Sequence, residues 1–279
     1  MFVENIWRFK SKMKQKFLPE SMYRVDWNMT NEKLFSFYQN NSSITGIVKR
    51  INFEKKVLEI NLGGNVTGTL PFTLSTIYPI YQQNGNLSPN VYSLNGKRIQ
   101  SKIRCITSNA IILSRKDNML EALESLKKET FIDVASIVGY SRLSAFFDIG
   151  AGIIGRSYGK SFCHNKFQNA TDVGLEIGSI LPVKILSYIE SDKHFDLSRV
   201  EALPPAQNIL YKNDEILCKV FGPVGDKENI GYFVGIFNNC FCGIVDSPSV
   251  ILHYGDEILA RVKRITPKGV KLIFLARIF

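Results

Sequence analysis

The sequence predicts a mainly β fold: three small β-barrels in tandem, with a helical segment ahead of the first and a helix between the first and second. Three observations carry that expectation. A glycine, a basic strand-like run, a polar turn and a second strand-like run recur as GKRIQSKIRCITSNAIILSR (residues 96–115), GSILPVKILSYIESDKHFDLSR (178–199) and GDEILARVKRITPKGVKLIF (255–274). Successive copies lie about 80 residues apart, close to the length of one small barrel. Between them, short apolar and β-branched runs alternate with turns rich in glycine, proline and asparagine.

Residues 1–41 differ in texture. Phe2, Ile6, Phe9, Met13 and Phe17 recur at helical spacing with Arg8, Lys10, Lys12, Lys14 and Lys16 between them, the pattern of a basic amphipathic helix. Such a helix packs on the first barrel or docks elsewhere, on a protein, on RNA or on an anionic membrane surface. The first barrel is expected over residues 42–116. Its strands are ITGIVKRI (44–51) and VLEINL (57–62), with Gly63 and Gly64 turning the chain, a long loop over 75–95, and a closing strand within 103–114. Residues 117–129, DNMLEALESLKKE, read as a linker helix with Asp117 as its cap and Lys127 and Lys128 at its C-terminal end. The second barrel is expected over 130–201, a linker with Pro204 and Pro205 over 202–210, and the third barrel over 211–279.

The 279 residues carry a net charge of +10, which favours polyanionic partners, nucleic acid first. The five cysteines, Cys105, Cys163, Cys218, Cys240 and Cys242, are odd in number and mostly lie in apolar runs, so reduced core thiols in a cytoplasmic protein are expected. Only Cys240 and Cys242 are close, and the three histidines are far apart, which argues against zinc. No apolar run approaches a membrane span, and the charged N-terminus is not a signal peptide. A phosphate-cradling glycine loop, a metal-ligand cluster and a nucleophile–base pair are all missing from the sequence, so neither catalysis nor a cofactor is expected.

The motifs within the repeats resemble a known family. The second unit has Ala145-Phe-Phe-Asp-Ile-Gly150, then Gly152-Ile-Ile-Gly155, Ile177-Gly-Ser-Ile-Leu-Pro-Val-Lys184 and Asp196-Leu-Ser-Arg199. The first has Thr45-Gly-Ile-Val48, Leu58-Glu-Ile-Asn-Leu-Gly63 and Ile111-Ile-Leu-Ser-Arg115. The third, most divergent, has Tyr232-Phe-Val-Gly-Ile236, Gly243-Ile-Val245 and Tyr254-Gly-Asp-Glu-Ile258. In this order they resemble the RNA-binding domain named after ribosomal protein S-one, across residues 42–279. The resemblance implies five-stranded OB-type barrels that offer one sheet face to an oligonucleotide.

Alternation along the second strand of such a barrel sends Phe147 and Ile149 inward and leaves Phe146 and Asp148 outward. Phe146 is then placed to stack a base, and Tyr158 falls where the family usually has a histidine or aromatic. Arg142, Arg156 and Lys184 are candidate phosphate contacts. In the third unit Tyr232 and Phe233 occupy the matching place, one of the two outward and the other an ordinary core aromatic, with Lys219, Arg261, Lys263 and Arg264 on nearby strands. In the first unit Glu59 replaces the aromatic and Pro71 the histidine, which resembles the family's ribosome-anchoring domains. The expected function is non-catalytic binding of single-stranded RNA through units two and three, in association with the ribosome and with small-subunit proteins as partners. The alternative is a single-stranded DNA-binding or protein-interaction module of a regulatory or mobile-element system.

Overall fold

A computed structural model of the protein describes residues 15–278 apart from 226–230, 238–239, 247–248 and 267–268. Among these residues fifteen strands form three closed five-stranded barrels. The first comprises β1 (Ser43–Asn52), β2 (Val57–Gly63), β3 (Val66–Pro71), β4 (Arg98–Ile106) and β5 (Ile111–Ser114). The second comprises β6 (Phe131–Ser141), β7 (Ser144–Asp148), β8 (Ile154–Tyr158), β9 (Ile180–Ile189) and β10 (His194–Ser198). The third comprises β11 (Glu215–Pro223), β12 (Gly231–Ile236), β13 (Phe241–Asp246), β14 (Glu257–Thr266) and β15 (Gly269–Arg277). In each, strands one, two and three pair in sequence, and strand five lies between three and four, parallel to strand three. That is the OB-type arrangement the resemblance implies. Alternation builds each core: Leu58, Ile60 and Leu62 point into the first barrel, Ala145 and Phe147 into the second, and Tyr232, Val234 and Ile236 into the third.

Among the described residues three α-helices accompany the barrels: α1 (Asn31–Gln39), a single turn α2 (Pro89–Tyr92) and α3 (Arg115–Leu126). The turn α2 and a bridge between Tyr81 and Leu87 lie inside the segment expected as a long loop. Ser114, not Asp117, caps α3: its side chain accepts from the Asp117 N–H. Asp117 instead spends its carboxylate on Arg104, at 2.6 Å to each of two guanidinium nitrogens. Met119, Ala122, Leu123 and Leu126 of this helix join the core of the second barrel.

The expected amphipathic helix falls largely on residues 1–14, outside the described residues. From Gln15 to Thr30 the chain is a strap, helical only for one turn at Glu20–Met22. It joins barrel two before it reaches barrel one. The Gln15 side-chain amide donates to Val134 O and Ile149 O and accepts from Val134 N, each at 3.1 Å. Phe17 is buried in the core of barrel two, and Ala151 N donates to Leu18 O. Gly150, with φ of +141°, brings its backbone so close that a Cβ would stand 2.6 Å from Phe17 O.

A buried cluster fastens strap, barrel one and barrel two together. Arg115 Nε and Nη2 donate to the two oxygens of Glu20, each at 2.8 Å, and Nη1 donates to Ser75 O. Glu20 also accepts from Gln100 N of β4, while its own N–H donates to Asp148 Oδ2 at 2.7 Å. Asp148 Oδ1 accepts from Gly150 N and Gly152 N. Asp148 therefore stands on the outer side of β7, as alternation expects, yet it is buried under the strap. Burial, with the nearby Glu20 carboxylate, raises its carboxyl above the usual range against the pull of those backbone donors and Arg115.

Barrel two meets barrel three through a second arginine at the end of a Leu-Ser-Arg run. Arg199 is buried, donates to Phe162 O and contacts Cys240 Sγ of barrel three. Asn165 donates to Val234 O, and the Tyr254 hydroxyl donates to Asp172. Among the described residues no helix is long and apolar enough to cross a membrane.

Candidate nucleic-acid interface

The three barrels carry the same cross-strand row on the outer face, fixed by strand register. In barrel two it runs Gly139, Phe146, Arg156, Asp196, Ser187. In barrel three it runs Gly222, Phe233, Ile244, Lys271, Arg264. In barrel one it runs Arg50, Glu59, Thr69, Ile112, Cys105. A register shift in the first strand immediately precedes the row each time, between Val48 and Arg50, Ile137 and Gly139, and Val220 and Gly222. The bulge sets which first-strand residue flanks the second-strand position.

In barrels two and three that flanking residue is glycine. A Cβ built at Gly139 or Gly222 meets nothing within 4 Å, so the space beside each phenylalanine is open. Phe146 is half-buried and Tyr158 is 56% exposed. Tyr158 faces Ser144 across the β7–β8 ladder, two pairs along from Phe146–Arg156 and therefore on the same face. Arg142 sits exposed in the β6–β7 turn at that end, where Gly159 N donates to Leu143 O. The opposite end of the face is closed, because the strap covers Asp148 and the Tyr78 hydroxyl accepts from Ile154 N. Four of the five barrel-two candidates thus share one open patch: Phe146, Tyr158, Arg142 and Arg156.

Lys184 does not join them. It stands on β9, separated from β7 by β6, and faces Phe131 at the start of β6, whereas Phe146 faces Gly139 near its end. Its ammonium is paired with Glu201 at 2.6 Å. Arg156 is held more loosely, 3.3 Å from Asp196, with His194 3.5 Å from the same carboxylate oxygen.

In barrel three only one of the paired aromatics is on the surface. Phe233 is 36% exposed, while Tyr232 is 2% exposed and belongs to the core. Tyr232 is corrected from candidate contact to core residue, since alternation puts it beside Val234 and Ile236. Arg261 of β14 pairs with the facing Glu215 of β11, at 2.7 Å, with β11 between it and β12, and Lys263 pairs with Asp246 at 3.1 Å. Asp246 occupies the register position of Tyr158, so barrel three offers one aromatic with Lys271 and Arg264 in its row. Lys271 lies 3.9 Å from the same Asp246, a looser pair than that of Lys263, and the alternation of Val270, Lys271 and Leu272 marks it as outward.

Barrel one has Glu59 and Pro71 at these two positions, as the motif alignment expects. Arg50 donates to Glu59 at 2.7 Å and holds its carboxyl below the ordinary range. Among the described residues no three His, Cys, Asp or Glu side chains gather so as to hold a metal ion.

No protein-family model matches the chain, and no curated protein is similar to it. Among solved structures, the chain is similar to one described as a multidomain protein with nucleic acid binding domains from Streptococcus pneumoniae. The match covers 86% of this chain and 75% of that one, at 15% identity and a TM-score of 0.26. Both values are too low to assign a family.

Proposed function

We propose that the protein binds single-stranded RNA on the outer faces of barrels two and three, without a catalytic step. One observation carries this reading: at one register position, both barrels present an outward phenylalanine with an open glycine flank. A base can slide over the glycine and stack on the ring, while cations of the same face meet its phosphates. Barrel two adds Tyr158, Arg142 and Arg156, and barrel three adds Lys271 and Arg264. The chain's net charge of +10 favours the encounter.

The resemblance to the ribosomal S-one domain supports a finer reading, a cytoplasmic role in translation with barrel one turned toward small-subunit proteins. Barrel one suits a protein partner better than an RNA backbone at this position, since Glu59 would repel phosphate.

Titration of labelled single-stranded RNA, followed by fluorescence anisotropy, tests the binding. Phe146→Ala with Tyr158→Ala should weaken affinity by about 1–3 kcal/mol per stacked base lost, and affinity should fall steeply with salt. Unchanged affinity in the double variant at moderate salt removes the stacking face. Competition with single-stranded DNA of the same sequence separates RNA from DNA, because only RNA offers a 2′-hydroxyl. Intact RNA after incubation with Mg²⁺ or Mn²⁺ is the expected result for a non-catalytic protein. Co-sedimentation with small ribosomal subunits tests the translational role.

A further inference from the structure

Barrel one lacks the outward aromatic of its two sisters, but the strap supplies one nearby. Two residues along the same strands from the Glu59–Thr69 pair, Asn61 faces Thr67. There lies a cavity of about 500 Å³ lined by Trp27, Lys49, Asn61, Gly64, Asn65 and Thr67, within the range of small-ligand sites. Trp27 is 60% exposed. Its main chain is nonetheless pinned: Gly64 N donates to Trp27 O at 3.0 Å, and Val25 and Met29 are buried on either side. Asp26 accepts from Asn28 N at 2.9 Å and from Lys33 at 2.7 Å. The fit is close enough that a Cβ on Gly63 would stand 2.1 Å from Asp26 O, and one on Gly64 2.1 Å from Met29 O.

A large aromatic held at its backbone but left open to water loses little freedom when a flat ligand covers it. The rest of the lining is polar. Lys49 is exposed and forms no ion pair among the described residues, so its ammonium is available to a phosphate. Asn61 spends its Oδ1 on Gly63 N at 2.9 Å, which leaves its amide donors for a ligand. Asn65 and Thr67 are exposed beside it. A tryptophan face, two carboxamides, a hydroxyl and one ammonium match a nucleobase with its phosphate; the lining contains no carboxylate to repel it.

We propose that this cavity is a third base-binding site, where a base of a single-stranded nucleic acid stacks on Trp27 and its phosphate meets Lys49. The proposal rests on the reading that the chain binds a nucleic-acid strand, and it extends that reading to the barrel whose Glu59 argues against contact.

The chain has two tryptophans, so Trp7→Phe leaves Trp27 as the only tryptophan, read by excitation at the red edge where tyrosine does not absorb. Titrating this full-length variant with an unlabelled single-stranded adenine- and uracil-containing RNA should quench tryptophan emission to saturation. Trp27→Ala should weaken binding about ten-fold, Trp27→Phe less. Lys49→Ala should lower the salt slope by about one. If RNA binds by anisotropy while Trp27 emission and the affinity of Trp27→Ala are unchanged, this site is overturned, and the reading of barrels two and three stands when Phe146→Ala, Tyr158→Ala or Phe233→Ala weakens that binding. If quenching persists while Phe146→Ala, Tyr158→Ala and Phe233→Ala leave affinity unaltered, this site stands and that reading falls. Neither anisotropy change nor quenching overturns both.

Discussion

Tyr232 and Phe233 are neighbours in sequence and opposites in consequence. Tyr232 fills the core of barrel three, so Tyr232→Ala should cost about 3–5 kcal/mol of stability by leaving a cavity. Phe233 stands partly on the surface, so Phe233→Ala should cost less, roughly 1–2 kcal/mol, and act mainly on binding. Chemical denaturation of the two variants checks the contrast. Asp148 offers a second residue-scale test. Its carboxyl is raised by burial and by Glu20, so the folded protein holds a proton that the unfolded chain releases nearer pH 4. With more protons bound in the folded state, the stability Asp148 contributes should fall as pH rises from about 4 toward 7. Wild type compared with Asp148→Asn in urea across that range should show the difference shrinking steadily. A flat difference would mean that the backbone donors and Arg115 keep Asp148 ionised throughout. Alternation along β7 shows which way Asp148 points but says nothing of what lies on top of it. The strap that buries it comes from 128 positions earlier in the chain.

At the scale of elements, the helix α3 and the strap show what local pattern can and cannot reveal. Residues 117–129 read as a helix from their caps and charges, and the helix is there, shifted toward the N-terminus by its true cap. Ser114→Ala should cost about 0.5–2 kcal/mol by orphaning the Asp117 N–H, measurable as a shift in the denaturation midpoint. Its consequence should extend beyond one helix, since α3 packs into the core of barrel two. The strap had no such legible pattern. Helical spacing up to Phe17 suggested a continuous helix, yet from Gln15 the chain takes its hydrogen bonds from barrel edges and turns. Its partners are backbone groups, such as Val134 O and Ala151 N, which any sequence supplies. No local motif can announce a contact of that kind. The bulge before each row was equally silent, although Gly139 and Gly222 mark two of the three sites.

At the scale of the whole molecule, the two Leu-Ser-Arg arginines join one barrel to the next. Arg115 bridges strap, barrel one and barrel two, and Arg199 reaches Cys240 of barrel three. Arg115→Ala leaves Glu20 buried without its bidentate partner and should destabilise the protein by about 3–5 kcal/mol. Calorimetry is expected to show barrels one and two losing their common transition, with the effect larger than that of exposed Arg142→Ala. The barrels themselves were determined by sequence alone. Their alternation, turn glycines and threefold spacing are short-range properties, and strand period and turn chemistry act within a few residues. So too was the inequivalence of the copies, because Glu59, Phe146 and Phe233 fall at aligned positions of a repeated motif. Tertiary structure alone decided which candidates share a face: it removed Lys184 and Tyr232, buried Asp148, and brought Trp27 to barrel one. The physical reason is that such placements depend on register shifts and on packing between segments far apart in sequence, where the partner is a backbone group or a turn.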